Sequence, residues 1–293
     1  MEYPTDTKGR GGKGINKVLL SEAFEAYREV ILYKNQSPKT EEAHQVCLKS
    51  LVSYFGDIPI EEITYAKVRE WKTHLDKGRS PTTVRGYIIK LRVVLDYFFN
   101  EGYGVVNPRT IPVPQRVDTV PDYLDSKQIQ ILIDSTSCLK AKAIISLLYS
   151  SGTRVSELCS LNRDSIHDGS FTIIGKGGKA RLCFVDDRSN RLINAYIKTR
   201  QDNDKALFIS RLSKKRITPA NVQEIFKHLK KKTGISCHPH TMRHSFCTNL
   251  LKTNCNLYYV QRMMGHKSLQ TTEHYLHIVD TDLHKIYTEH HTV

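Results

Sequence analysis

The chain has 293 residues, 39% of them hydrophobic, enough for real cores and, at roughly 100–200 residues per domain, for two domains. No apolar run approaches the roughly 18 residues of a membrane span, and the polar, basic start MEYPTDTKGRGGKG is unlike a signal peptide, so a membrane or secreted protein is not expected. The formal net charge of +14 points to a polyanionic partner, most often nucleic acid.

That charge is uneven. Residues 1–117 hold 18 Lys and Arg against 14 Asp and Glu, whereas the remainder holds 26 against 16. Seven cysteines (Cys47, Cys138, Cys159, Cys183, Cys237, Cys247 and Cys255) are an odd number with no CxxC pair, which reads as reduced thiols in a reducing compartment. A cytoplasmic, nucleoid-associated protein is expected.

In chain order, residues 1–14 read as a flexible basic tail. Residues 20–33, LSEAFEAYREVILY, have helical apolar spacing, with Ser21 as the candidate cap. SPKTEEAHQVCLKSLVSYFG starts on Ser-Pro and stops at Gly56. TYAKVREWKTHLDKG is a third helix ending at Gly78, and SPTTVRGYIIKLRVVLDYFFNEG is a fourth between Ser-Pro and Gly. The segment 105–122, VVNPRTIPVPQRVDTVPD, has four prolines and little periodicity, the signature of a linker.

Beyond it, DSKQIQILIDS, LKAKAIISLLYSSG and RVSELCSLNRDSI read as helices. SFTIIGKGGKARLCFV reads as two short strands around a Gly-Gly turn. TPANVQEIFKHLKKKTG, PHTMRHSFCTNLLKT and LYYVQRMMGH are further helices before a final segment. The expected class is mostly α with a small antiparallel β-sheet.

Four stretches carry the chemistry: SSGTRVSEL with Arg154, IIGKGGKARL with Lys176, HPHTMRHSF with His240 and Arg243, and MMGHKSLQTTEHY with His266 and Tyr275. In this order they resemble the tyrosine recombinase family, the phage-integrase and Xer-like enzymes. That family has an Arg in G-x-R-x-S-E-L, a Lys in a G-K-G hairpin, an H-x-x-R-H helix, then G-H and a Tyr nine residues on. Thr153 and Met242 depart from the more usual residues at their positions, without touching the chemistry. The resemblance covers most of the chain, because residues 20–108 also resemble the helical core-binding domain. It implies a core-binding domain over 15–108, a linker over 109–120 and a catalytic domain over 121–293, forming a clamp around duplex DNA. It also implies site-specific recombination through a 3′-phosphotyrosyl intermediate and a Holliday junction by a homotetramer on two synapsed sites. No metal or cofactor is implied. A type IB topoisomerase-like enzyme and a catalytically silent DNA-binding protein are the alternatives; the short two-domain chain argues against the first and the full residue set against the second.

The residue types suit that reaction. A phosphodiester in transesterification gains charge on two nonbridging oxygens, which two guanidiniums, Arg154 and Arg243, can clamp. Tyr275 is the expected nucleophile. Nine helical residues turn through about 900°, so one unbroken helix would put His266 and Tyr275 on opposite faces; a break is expected after Gly265. A lysine of the turn would give a proton to the departing 5′ oxygen; the resemblance implies Lys176, with Lys179 the competing candidate. The glycines are no P-loop, since Ala180 stands where Ser or Thr is needed. His240 and Arg243, i and i+3, share a helix face; His240 would exchange a proton with Tyr275 or hold a phosphate oxygen, and His266 would donate to a nonbridging oxygen. Glu157, one turn after Arg154, is expected to orient the basic cluster. His244 reads as structural. A zinc site from Cys237, His238, His240, His244 and Cys247 is disfavoured, because HExxH and CxxC are both missing. Val279, Leu283 and Ile286 give the last segment one apolar face; the resemblance implies docking on a neighbouring protomer, with folding back on its own domain as the alternative.

Overall fold

The computed structural model describes residues 17–34, 36, 38–115, 122–175, 180–253 and 255–265. Lys176, Lys179, His266, Tyr275, the basic start and the last segment lie outside the described residues. The chain divides into two compact units, Met1–Asp118 and Thr119–Val293.

The first unit contains helices α1 (Leu20–Tyr33), α2 (Pro38–Phe55), α3 (Tyr65–Asp76) and α4 (Pro81–Asn100). Starts and stops follow backbone chemistry. The Thr64 and Ser80 hydroxyls accept from the amides of Lys67 and Thr83, and Gly56 adopts φ +78° after α2. Ser21 differs from expectation: it lies inside α1 and its hydroxyl donates to Asp57 at 2.6 Å. The start of α1 is held instead by Glu22, whose carboxylate accepts from the Leu19 amide at 2.9 Å. α4 touches each of the other three helices. Its Leu91 and Leu95 are fully buried with Trp71 of α3, Phe24 of α1 and Leu51 of α2. Trp71 stacks on Tyr87 with ring centroids 6.0 Å apart. Ile111 is also buried in this core, so packed chain reaches into the proline-rich stretch.

The second unit is arranged around α6 (Leu139–Ser151), which follows α5 (Ser126–Asp134). α6 buries Ala141, Ala143, Ile144, Ile145, Leu147 and Leu148, apolar nearly all round as a central helix must be. It packs on α5, α7 (Val155–Ser160), α8 (Asp187–Lys198) and α10 (Pro239–Lys252). α7 is shorter than the sequence spacing suggests. Its chain turns away at Leu161, where Arg216 donates to the carbonyls of Cys159 and Leu161. α8 is not among the helices expected from the sequence. Strands β1 (Ser170–Ile174) and β2 (Ala180–Phe184) pair antiparallel, Ile173 opposite Arg181 and Phe171 opposite Cys183. α9 (Pro219–Thr233) ends at Gly234, and α11 (Leu257–Met264) ends at Gly265, both glycines left-handed. Among the described residues, no helix is long and apolar enough to cross a membrane.

Candidate active site

The site grows from the end of the central helix. Gly152 closes α6 with φ +60°, and a Cβ there would lie 2.4 Å from a ring carbon of Phe246 on α10. Only glycine fits both the turn and the contact. The chain then extends through buried Thr153 to Arg154, the residue before α7. Anchoring at the end of a largely buried helix gives Arg154 a fixed backbone, while 38% of its side chain remains exposed.

Glu157 organises this corner. Its Oε1 accepts from Arg154 Nη1 and from Arg181 Nη1, each at 2.9 Å. Its Oε2 accepts from the Arg154 amide at 2.7 Å and from Arg181 Nη2 at 2.6 Å. A carboxylate has about four lone-pair sites, and here all four are occupied. Burial pushes the Glu157 carboxyl up, but the hydrogen bonds and charges of Arg181 and Arg154 overcome it and hold it at about 2. A carboxylate so saturated orients its neighbours; it has no spare capacity to move protons.

Arg181 was not anticipated from the sequence, where a charged residue beside a Gly-Gly turn reads as solvated. The available signal was strand alternation: Phe171, Ile173 and Cys183 are buried, and Arg181 shares their face of the sheet. Its side chain is only 8% exposed.

α10 brings the second guanidinium. Arg243 is 4% exposed, and its two η nitrogens donate to the carbonyls of Gly152 and Met264. It thereby ties the α6–α7 corner to the end of α11, and this uses two of the five N–H donors a guanidinium carries. The α10 start is capped by His238, whose Nδ1 accepts from the Thr241 amide at 3.1 Å. Exposed His240 lies with its ring 6.4 Å from those of His238 and His244. Burial, then the neighbouring His240, His238 and Arg243, push the His244 imidazole down to about 4. His244 is therefore held neutral, in keeping with a structural part. At the far side, Gly265 has φ +63°, and a Cβ on it would lie 2.9 Å from Arg181 Cδ.

The structure thus brings Arg154, Glu157 and Arg243 together, with His240 one turn before Arg243 on α10. Lys176 belongs to the connection between β1 and β2, and His266 and Tyr275 follow Gly265; all three lie outside the described residues. Among the described residues, no group of three His, Cys, Asp or Glu side chains is arranged to hold a metal ion. What the described part offers is an anion site: fixed guanidiniums, an exposed imidazole and one carboxylate fully engaged in holding arginines.

The phage integrase family matches residues 122–281, and the phage integrase SAM-like domain matches residues 20–111. The chain is 32% identical to tyrosine recombinase XerC of Alcanivorax borkumensis over 87% of this chain and 88% of that protein. It is 33% identical to a tyrosine recombinase of Thermosipho africanus over 85% of this chain and 92% of that protein. Among solved structures, a lambda integrase dimer bound to a COC′ core site superposes with a TM-score of 0.74 at 17% identity, covering 89% of this chain and 77% of that one.

Proposed function

The chain belongs to the phage integrase family of tyrosine recombinases, DNA strand-transferring enzymes, and from that premise we propose a mechanism for its own residues. The substrate is duplex DNA carrying a specific site. Tyr275 attacks the scissile phosphorus, so that a Tyr275 oxygen–phosphorus bond forms as the bond to the 5′ oxygen breaks. The strand is left as a 3′-phosphotyrosyl ester. His240 takes the phenolic proton, and Lys176 gives a proton to the 5′ oxygen. Arg154 and Arg243 hold the two nonbridging oxygens, which carry most charge at the transition state, and His266 adds a donor there. A 5′ hydroxyl from a second duplex reverses the step. The number of phosphoesters is unchanged, so religation needs no external energy source, and two rounds pass through a Holliday junction.

The observation that carries this reading is the tie between the two arginine segments: Arg243 donates to the carbonyl of Gly152, two residues before Arg154. Clamping one phosphate requires two guanidiniums held in fixed relation, and a bond between their two chain segments supports that reading.

Strand exchange between two sites requires four active sites, hence a homotetramer. The apolar spacing of Val279, Leu283 and Ile286 in the sequence suits docking on a neighbouring protomer. Deleting residues 279–293 should spare half-site binding and weaken cooperative full-site assembly; unchanged cooperativity in a gel shift would return the segment to its own domain. The chemistry is tested by incubating the chain with a randomised duplex pool, denaturing, and sequencing DNA that stays attached. A single recurrent sequence linked through Tyr275 is expected. DNA linked through another residue, or none, would overturn the mechanism.

A further inference from the structure

The contacts of Arg181 reach further than a structural ion pair, and the inference drawn from them rests on the reading of Arg154 given above. Arg181 and Arg154 compete for one carboxylate. Alone with Glu157, Arg154 could close a bidentate pair, the preferred geometry of Arg and carboxylate, with both oxygens on its own guanidinium. It would then be neutralised and turned away from a phosphate. In the structure Arg181 holds the bidentate position, with Nη1 on Oε1 and Nη2 on Oε2 at 2.9 and 2.6 Å. Arg154 is left a contact to Oε1 through Nη1 alone, plus its backbone amide on Oε2. The three side chains together carry one positive charge, and the exposed member is Arg154: its side chain is 38% exposed, against 8% for Arg181 and 12% for Glu157.

Three further features hold Arg181 in that role. It projects from the inward face of β2, opposite Ile173, on a strand that enters from the connection containing Lys176. Its Cδ packs where a side chain on residue 265 would otherwise stand. Glu157 orients the guanidinium through its η nitrogens, with the Cys183 thiol on the same face of the strand as a second, weaker partner. We propose that Arg181 is a positioning residue for strand cleavage: by occupying Glu157 bidentately it prevents Arg154 from folding onto that carboxylate, and so keeps the Arg154 guanidinium turned to the scissile phosphate.

The proposal makes an unusual demand: removing Glu157 should repair the loss of Arg181. The probe is a nicked duplex with the sequence that the wild-type chain selects from a randomised pool, and adduct formation is timed at saturating DNA. It is made once with the natural phosphate and once with a neutral methylphosphonate at the mapped cleavage step. Arg181→Met should slow adduct formation on the natural phosphate by roughly tenfold to a hundredfold, by analogy with the loss of the partners that orient metal ligands. Arg181→Lys, which keeps the charge but not the fork, should fall between. Adding Glu157→Gln to Arg181→Met should restore most of the rate, because the amide cannot neutralise Arg154. The methylphosphonate, with less charge to clamp, should narrow the gap between Arg181→Met and wild type. A wild-type rate for Arg181→Met, a deeper loss in the double variant, or an equal loss on both substrates would each overturn the proposal. Arg154→Ala run in parallel separates the two readings: if it cleaves at the wild-type rate, Arg154 is not in the clamp, and the proposal falls for that reason rather than through Arg181.

Discussion

Trp71 in the first unit and Arg243 in the second are buried to similar depth, at 0% and 4% exposure, yet they are buried for opposite reasons. Trp71 lies among Leu51, Leu91 and Leu95 and stacks on Tyr87; its burial is what holds the four helices together. Arg243 donates to two backbone carbonyls and so fixes three chain segments relative to one another by hydrogen bonds as well as by packing. The difference extends through both units. Of the ten polar or charged residues buried as whole residues among the described residues, His44 alone lies in the first unit. The second unit buries Ser146, Ser151, Thr153, Ser189 and Ser245, several of them hydrogen-bonded between elements, as Ser146 is to Ser189 at 2.7 Å. Buried polar groups are tolerated only when paired, so a core rich in them is strictly specified. The first unit is thus built to be stable, and the second to hold a few groups at fixed positions.

The largest expected effect sharpens that contrast. Tyr275→Phe removes the nucleophilic oxygen with almost no change of shape, so covalent attachment should vanish while binding and stability persist. Its mirror is Trp71→Ala, which should cost the first unit about 3–5 kcal/mol. Denaturing gels detect the adduct, and any adduct from Tyr275→Phe would remove Tyr275 from its assigned role.

Next come the two arginines, where the contrast can break. Arg154→Ala and Arg243→Ala should each slow cleavage by orders of magnitude, about 3 kcal/mol or more. They should differ in stability. Arg243→Ala strands the buried carbonyls of Gly152 and Met264, an expected loss of about 1–3 kcal/mol, whereas partly exposed Arg154 should cost much less. Equal melting temperatures for the two variants would mean that Arg243 is not the staple it looks to be.

Lys176→Ala should slow cleavage by at least roughly a hundredfold, the low end for a lost general acid. A 5′-phosphorothiolate substrate should restore the rate, because a thiolate leaves without a proton. Rescue of a Lys179 variant instead would move the role by three residues.

How much of this was legible beforehand follows the same division. Helices of the first unit announce themselves through apolar spacing between Ser/Thr-Pro starts and glycine stops, because stripes packing on stripes leave a periodic trace. α8 leaves a faint one: its buried positions are Ser189, Ile193 and Tyr196, so the stripe opens on a serine that faces Ser146 rather than on an apolar residue. Ser21 looks like a cap because serine often is one, but long-range bonding to Asp57 overrides the local preference. In the site, Arg154, Glu157, His240 and Arg243 stand out because chemistry demands particular residue types in a particular order. Arg181 does not, since its partners lie 24 residues upstream and in the α11 terminus, and no local spacing records them. The bonds of Arg243 to backbone carbonyls are equally silent, because carbonyls carry no sequence signature.

The smallest expected effect is on pH, and it compares the two units directly, because each contains a histidine pushed below its ordinary value. His44 is lowered by burial and by Lys90; His244 is lowered to about 4 by burial and by His240, His238 and Arg243. A histidine held neutral in the fold but protonated when unfolded contributes full stability above its unfolded value of about 6.5. That contribution is lost as pH falls, and for His244 the loss is complete near 4. It corresponds to at most about 3 kcal/mol at one pKa unit per 1.36 kcal/mol. Glu157, held at about 2, acts in a different window: its contribution is constant above about 4.5 and is lost only below. Between pH 6.5 and 4.5 the histidines therefore act without it. The single tryptophan, Trp71, makes fluorescence a reporter of the first unit, while far-ultraviolet circular dichroism follows both. His44→Gln should flatten the pH dependence of the fluorescence transition. His244→Gln should leave that transition alone and flatten only the remaining part of the dichroism change. If His244→Gln alters the fluorescence transition as strongly as the dichroism, the units do not unfold independently, and the division between a stabilising unit and a site-holding unit fails.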